Sequence, residues 1–252
     1  MKFIQNSLPI YTLLSAIFLI AAVSCASSKE EEVLEKPNII YILADDLGYG
    51  DLSFLGQTKF KTPNIDKLAA EGMVFTQHYA GTTVCAPSRS ALMTGLHTGH
   101  TQVRGNRGLN GGQFPLKEGT QTLATLLKEA GYATGAFGKW GLGYPGSEGE
   151  PLNQGFDVFF GFNSQTIAHN YYPRELWDND KIITLEGNQG TEQGQYAPNL
   201  IQEKRLAFIE KNKDNPFFMF VPTIVPHAEL FAPEEYMEKF LTKTNPEPPY
   251  QY

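Results

Sequence analysis

Short apolar runs alternate along the chain with segments of helical periodicity, and this pattern predicts an α/β fold. The run 38–44 is continuous, apolar and rich in β-branched residues, which is typical of a strand buried on both faces. The same reasoning predicts further strands over 73–79, 133–138, 156–160 and 217–221. Helices are predicted between them, over 63–71, 87–94, 123–130 and 200–209. Strands that alternate with helices indicate a mostly parallel sheet flanked by helices.

The predicted helix over 63–71 has clear signals at both ends. Thr62 can cap it, Pro63 suits its first position, and Gly72 ends it. Its inward stripe would consist of Ile65, Leu68 and Ala69.

The N-terminal segment predicts export. Lys2 precedes an uncharged apolar stretch, and residues 22–25 (Ala-Val-Ser-Cys) resemble a bacterial lipobox. We therefore expect a signal peptide over 1–24, a lipidated Cys25, a polar tether over 25–36 and a folded domain over 37–252. Ordinary cleavage near Ser24, or an uncleaved anchor helix, are the alternatives.

Composition and charge narrow the class of protein. The chain has 252 residues, a formal net charge of −7 and two cysteines. Its ordinary apolar content excludes a disordered or fibrous protein, the acidic balance argues against nucleic-acid binding, and two cysteines cannot build a disulfide scaffold. The acidic run after Cys25 resembles the surface-export signals of Bacteroidetes lipoproteins. The expected location is the periplasm or the outer-membrane surface, with a lipid anchor as the only membrane contact.

Two carboxylates follow the first predicted strand. Asp45 and Asp46 stand at its carboxyl end, which is where open α/β sheets bind ligands. A divalent cation would neutralise both, and hard oxygen ligands suit Ca²⁺ or Mg²⁺ better than Zn²⁺. A simple Asp-Asp turn is the alternative.

The segment 85–89 (Cys-Ala-Pro-Ser-Arg) opens the next predicted helix. Its free N–H groups and the helix dipole favour an anion, and Arg89 shares the helix face of Cys85. Taken alone, the pattern also fits a buried thiol beside a capping proline, or a thiolate nucleophile.

Four motifs together resemble the type I formylglycine-dependent sulfatases. They are residues 43–51 (Leu-Ala-Asp-Asp-Leu-Gly-Tyr-Gly-Asp), 85–89, 94–95 (Thr-Gly) and 138–140 (Gly-Lys-Trp). The resemblance runs from about Lys36 to the end of the chain and implies the alkaline-phosphatase-like α/β fold. Residues 168–173 (Ala-His-Asn-Tyr-Tyr-Pro) resemble a stretch of bacterial carbohydrate sulfatases, so a sulfated saccharide is the implied substrate, with aryl sulfates as an alternative.

The resemblance assigns a role to each site residue. A maturation enzyme would oxidise Cys85 to Cα-formylglycine, whose hydrated form attacks sulfur and later expels sulfate. Asp45, Asp46 and the modified Cys85 would bind Ca²⁺, with Mg²⁺ as the weaker candidate. Arg89 would steady the formylglycine, and Lys139 would bind sulfate. His227 would contact sulfate and protonate the leaving oxygen.

The chain also departs from the family pattern. Many members have a histidine where this chain has Gly141, and His169 is the candidate replacement, unless it is a packed or turn residue. The further ligands that the family supplies after His227, an Asp-Asn pair and a second lysine, are absent, as is the small C-terminal subdomain. We therefore expect an N-terminal portion of the domain, with weak metal binding and no activity of its own.

Two other functions stay open on the sequence. One is a phosphatase or phosphodiesterase of the same superfamily, which would use Ser or Thr and two Zn²⁺. The other is a non-catalytic lipoprotein that binds sulfated glycans. Several aromatic and basic residues near the motifs could touch substrate, but core or loop roles are the simpler interpretation: His78, His97, His100, Arg104, Arg107, Tyr171, Tyr172 and Trp177.

Overall fold

A six-stranded, mostly parallel sheet forms the centre of the protein, as predicted. The computed structural model describes residues 35–227 and 230–241. The strands are β1 Ile39–Ala44, β4 Ala133–Lys139, β5 Val158–Phe162, β6 Glu175–Asp178, β7 Lys181–Thr184 and β8 Phe217–Thr223. Their order in the sheet is β1-β8-β4-β5-β6-β7. The first four strands in this order are parallel to one another, and β6 and β7 extend one edge of the sheet in antiparallel orientation. A small ribbon, β2 Gly108–Leu109 and β3 Gly112–Gln113, lies apart from it.

Five described α-helices accompany the sheet, and their ends follow local sequence signals. They are α1 Pro63–Glu71, α2 Cys85–Thr94, α3 Leu123–Glu129, α4 Ala197–Asn212 and α5 Glu234–Leu241. Thr122 caps α3 by accepting the Thr125 N–H at 3.1 Å. Gly95 ends α2 in the left-handed conformation, with φ at 67°.

The central strand β8 shows how the sheet separates two apolar cores. Phe218 and Phe220 point to one face and pack with Trp140 and Phe156. Phe217, Met219 and Val221 point to the other face, where Phe137 and Phe208 also lie. Because successive side chains of a strand alternate between faces, a strand covered on both sides must be apolar throughout.

The segment that links β1 to α2 contradicts three of the sequence predictions. No residue from 46 to 85 is buried, although all of them are described. Residues 73–79 form no strand, and α1 exposes Ile65 and Leu68 rather than burying them. In β1, Ile40 and Ile42 are exposed, so that strand is covered on one face only. Within the described residues β1 pairs only with β8, and no neighbouring element covers these apolar side chains.

Other elements are present as predicted, but their ends differ from the predicted ends by a few residues. The strand predicted over 156–160 lies at 158–162, and the helix predicted over 87–94 begins two residues earlier, at Cys85. The signal peptide, Cys25 and nearly all of the tether lie outside the described residues, as does the chain beyond residue 241. No described helix has both the length and the apolar character that a bilayer crossing requires.

Candidate active site

Asp45 and Asp46 leave the end of β1 in different directions. Asp45 is buried, and its N–H donates to the carbonyl of Val225 at 3.3 Å, which joins the end of β1 to the loop after β8. Asp46 has a positive φ of 61°, a conformation uncommon outside glycine, and its carboxylate is exposed. The adjacent pair therefore places one carboxylate inside the protein and one at its surface.

Cys85 is the first residue of α2 and is half-buried. Val84, just before it, has a φ of 62°, which a β-branched residue adopts only at a cost of roughly 1–3 kcal/mol. The N–H of Ala86 donates to Asn106 Oδ1 at 2.8 Å. The surrounding structure thus holds the thiol in a constrained backbone at the start of a helix.

Lys139 places its ammonium group beside both Asp45 and Cys85. It ends β4 and is fully buried. Its Nζ lies 2.7 Å from Asp45 Oδ2 and 3.4 Å from Cys85 Sγ, and Cys85 Sγ lies 3.9 Å from Asp45 Oδ1. Three segments that are far apart in the chain therefore meet at the carboxyl end of the parallel strands.

Arg89 adds a second buried cation. Its Nη2 lies 3.4 Å from Asp45 Oδ1, and its Nη1 donates to the carbonyl of Lys139. Burial by itself would raise the pKa of Asp45, but the charges of Arg89 and Lys139 outweigh it and hold that pKa below its usual value. Burial lowers the pKa of Arg89, against the opposing effect of Asp45. Two buried cations face one buried carboxylate, so the interior of the site carries excess positive charge and favours an anion.

His227 and His169 meet beside this cluster. Their rings stack with centroids 4.4 Å apart and an interplanar angle of 25°. His227 Nε2 lies 3.5 Å from Asp46 Oδ2. Donor atoms of Asp45, Cys85 and His227 lie within 4.8 Å of one another. The structure therefore brings together the seven residues of the folded domain for which the sequence predicted a role in the site: Asp45, Asp46, Cys85, Arg89, Lys139, His169 and His227.

Gly141, two residues beyond Lys139, leaves room for another polar side chain. Its φ is 78°, and a Cβ built on it would lie 2.0 Å from Gln165 Nε2. Gln165 is buried, and neither atom of its side-chain amide has a hydrogen-bond partner in the structure. The amide of Gln165 thus occupies the volume into which a side chain at 141 would project. No sequence signal pointed to Gln165, because the contact joins two separate loops.

The remaining candidates are exposed at the surface or packed in the core. His78, His97 and His100 are exposed, and the strand expected around His78 is absent. Arg104 and Arg107 are exposed, with Arg107 over the ring of Phe114. Tyr171 and Trp177 are buried and Tyr172 is half-buried. Two Gly-rich segments, residues 96–118 and 143–155, pack backbone against backbone: a Cβ on Gly112 would lie 2.4 Å from the carbonyl oxygen of Gly143.

The donor set fits a hard divalent cation in part. Asp45 and Asp46 offer carboxylate oxygens, which Ca²⁺ prefers, whereas the Cys85 sulfur and the His227 nitrogen suit softer metals. An oxygen in place of the Cys85 sulfur would bring the set closer to Ca²⁺. Six to eight ligands are usual for that ion, so these residues account for part of a shell.

The fold and the site define the class of protein: an α/β protein in which buried Asp45, Arg89 and Lys139 surround half-buried Cys85 at the carboxyl edge of a mostly parallel sheet. Comparison with known proteins gives the family. The sulfatase family model matches residues 37–249, and the chain belongs to that family. An N-acetylglucosamine-6-O-sulfatase of Bacteroides thetaiotaomicron is 32% identical over 239 residues, which are 94% of this chain and 39% of that protein.

Solved structures confirm the alkaline-phosphatase-like fold. The crystal structure of Ps i-CgsB in complex with a neocarrahexaose superposes with a TM-score of 0.71 at 33% identity, over 84% of this chain and 50% of that one. A second structure, in complex with its substrate D-glucosamine-2-N,6-O-disulfate, superposes with a TM-score of 0.67 at 30% identity. The match covers 85% of this chain and 40% of that one. The chain spans less than half the length of the curated relatives it matches.

Proposed function

We propose that this chain carries the catalytic centre of a carbohydrate sulfatase, which hydrolyses a sulfate ester through a formylglycine derived from Cys85. The convergence of Cys85 with buried Asp45 and Lys139 is the observation that carries the proposal. Formylglycine, when hydrated, supplies one oxygen to attack sulfur and a second hydroxyl that allows sulfate to leave. Asp45 and Asp46 would hold the cation, Ca²⁺ before Mg²⁺, which polarises the sulfate oxygens.

The buried cations would bind and orient the sulfate group. Lys139 Nζ lies 3.4 Å from the Cys85 sulfur, so an anion reacting at Cys85 lies within its reach. Its charge would offset the negative charge that grows on the sulfuryl oxygens in the transition state. Arg89 donates a hydrogen bond to the carbonyl of Lys139 and forms an ion pair with Asp45. It would thereby hold both residues in place beside Cys85.

The two histidines would act on the side of the leaving group. Departure of an alcohol from sulfur requires a proton at its oxygen, and His227, whose ring nitrogen lies within 4.8 Å of the Cys85 sulfur, would give it. His169, stacked on His227, would contact the sugar or the sulfate. The similarity to an N-acetylglucosamine-6-O-sulfatase and to a structure in complex with D-glucosamine-2-N,6-O-disulfate supports a sulfated amino sugar as the substrate class.

Export as a lipoprotein is part of the same proposal. The lipobox-like residues before Cys25 and the acidic run after it support lipidation at Cys25. Metabolic labelling with a fatty-acid analogue should mark the wild-type protein and not Cys25→Ala. Equal labelling of the two would contradict the anchor.

Peptide mass spectrometry across residues 84–89 tests the catalytic proposal. The protein is expressed with a formylglycine-generating enzyme, and Cys85→Ala serves as the unconverted control. We expect the wild-type peptide to lose two hydrogens and one sulfur and to gain one oxygen. A thiol that persists at Cys85, under conditions that convert a reference sulfatase, would overturn the catalytic role and favour the glycan-binding alternative.

Release of inorganic sulfate from glucosamine 6-sulfate then separates sulfatase from phosphatase activity. The converted protein, joined to the C-terminal part of a homologous sulfatase if the 252-residue chain alone shows no turnover, should release sulfate and leave glucosamine 6-phosphate intact. Release of phosphate by the unconverted Cys85 form would favour the phosphatase alternative. Among the described residues, only one group of three potential metal ligands is present, and a two-zinc phosphatase site needs more.

A further inference from the structure

The loop that carries His227 is held at its backbone by a buried tyrosine. The loop follows β8 and turns back on itself, with the His227 N–H donating to the carbonyl of Ile224 at 3.0 Å. The hydroxyl of Tyr171 lies 2.8 Å from the carbonyl oxygen of His227 and 3.1 Å from that of Ile224. Both partners are acceptors, so the single hydroxyl proton is shared between them, and both ends of the turn are tied to one side chain.

Tyr171 is well suited to hold another group in place. It belongs to the segment that connects β5 to β6 and is buried, and its ring stacks on Tyr196 with centroids 5.9 Å apart and an interplanar angle of 14°. A buried ring fixed by packing gives its hydroxyl a defined position. The His227 loop has two backbone hydrogen bonds of its own, from Asp45 to the Val225 carbonyl and from His227 to the Ile224 carbonyl, and the tyrosine hydroxyl adds a contact to the carbonyl of His227 itself.

The same segment also holds the side chain of His227. His169, two residues before Tyr171, stacks on the His227 ring. Residues 169–171 therefore fix His227 at two points, the imidazole through His169 and the backbone carbonyl through Tyr171. Opposite them, Asp46 Oδ2 lies 3.5 Å from Nε2, and Asp45 anchors the neighbouring Val225 carbonyl.

We propose that Tyr171 is a positioning residue for His227: its hydroxyl sets the loop so that the imidazole faces Cys85. The inference rests on the proposed function, because it matters for catalysis only if His227 acts on the leaving group. It goes beyond that function because it assigns a role to Tyr171, which its burial alone would identify only as a core residue.

Chemical labelling of His227 tests the position without requiring turnover. Diethyl pyrocarbonate labels accessible imidazoles, and peptide mass spectrometry gives a rate for each histidine. Tyr171→Phe keeps the buried ring and removes the hydroxyl, and Tyr172→Phe removes a hydroxyl from the next, half-buried ring as a matched control. We expect the rate at His227 to rise several-fold in Tyr171→Phe and to stay unchanged in Tyr172→Phe. Exposed His78 is the internal standard and should react equally in all three proteins.

A double-mutant cycle in the converted protein separates positioning from general structural support. We expect Tyr171→Phe to lower kcat for a sugar sulfate by about tenfold, part of the roughly 10²–10⁴-fold that a positioned acid contributes. The loss should be smaller for an aryl sulfate, whose leaving group needs less help from a proton. In a His227→Ala background, Tyr171→Phe should have no further effect.

Two results would overturn the role of Tyr171. One is an unchanged labelling rate at His227 in Tyr171→Phe. The other is an equal loss of kcat on the wild-type and His227→Ala backgrounds, which would mean that the hydroxyl supports the fold alone. If turnover is also absent after the converted protein is joined to the C-terminal part of a homologous sulfatase, the proposed function fails, and the labelling rates by themselves decide whether Tyr171 positions His227.

Discussion

The ammonium of Lys139 lies 2.7 Å from the carboxylate of Asp45, with the two side chains 0% and 7% exposed. The residues are 94 positions apart in the chain. A buried ion pair of this kind contributes little net stability when intact, because both ions lose their hydration. Loss of one partner is costly, since it leaves a buried charge without compensation. This asymmetry makes the pair a sensitive probe of the site.

Asp45→Asn should strongly destabilise the protein. The substitution leaves Arg89 and Lys139 buried together without their carboxylate, and breaking a buried pair in this way costs about 3–5 kcal/mol. Asp46→Asn is the matched control, because its carboxylate is exposed and should contribute little. Urea unfolding followed by circular dichroism gives both free energies. Equal losses from the two variants would contradict the buried pair.

The same carboxylate should make stability depend on acid pH. The pKa of Asp45 is lowered in the folded protein, so its contribution is complete above the unfolded value of about 3.9 and is lost as the pH falls through the folded-state pKa. The free energy of unfolding should therefore decrease below about pH 4 in the wild type. Asp45→Asn should show a flatter profile over that range. Parallel profiles for the two proteins would exclude Asp45 as a source of the dependence.

Gly141→Ala should destabilise more than a glycine substitution in the same backbone conformation elsewhere. Gly146 provides the control, since its φ of 80° matches the 78° of Gly141 and a Cβ there would meet no atom within 4 Å. We expect about 1 kcal/mol of loss at Gly146 from the backbone, and about 1–3 kcal/mol more at Gly141 from the clash with Gln165. Adding Gln165→Ala to Gly141→Ala should recover part of that excess. Thermal melts compare the wild type, the two single glycine variants and the double variant. Equal losses of stability at the two glycines would contradict the prediction, because they would show that the Gln165 side chain moves aside without cost.

The exposed apolar side chains between β1 and α2 should make the 252-residue chain self-associate. Met73 and Phe75 are 78% and 72% exposed, within a stretch where no residue is buried. Large exposed apolar patches usually mark an interface or cause aggregation. Analytical ultracentrifugation should show concentration-dependent association that Met73→Lys with Phe75→Lys reduces. Leu126→Lys, at an exposed site on α3, is the control and should change little. A chain that stays monomeric at every concentration would refute this prediction.

Local sequence determined much of the fold and named the site residues. The strands near 39–44, 133–139 and 217–223 and the helices α1 to α4 follow from apolar runs, caps and glycines within a few residues of each end. The motifs around Asp45, Cys85 and Lys139 could be identified because each is contiguous. Their proximity could also be expected, since the carboxyl ends of parallel strands meet at one edge of a sheet.

Tertiary structure alone decided which of these groups touch and which apolar residues are covered. The stretch 73–79 has the composition of a strand but no strand neighbour, and a strand forms only when another pairs with it. Likewise, the exposure of Ile42 follows from what packs on that face of β1, and its own residue type does not determine it. The stacking of His169 on His227, the hold of Tyr171 on the loop and the fit of Gln165 against Gly141 join residues from separate loops. Such contacts depend on the relative placement of whole elements, which a pattern of neighbouring residues does not encode.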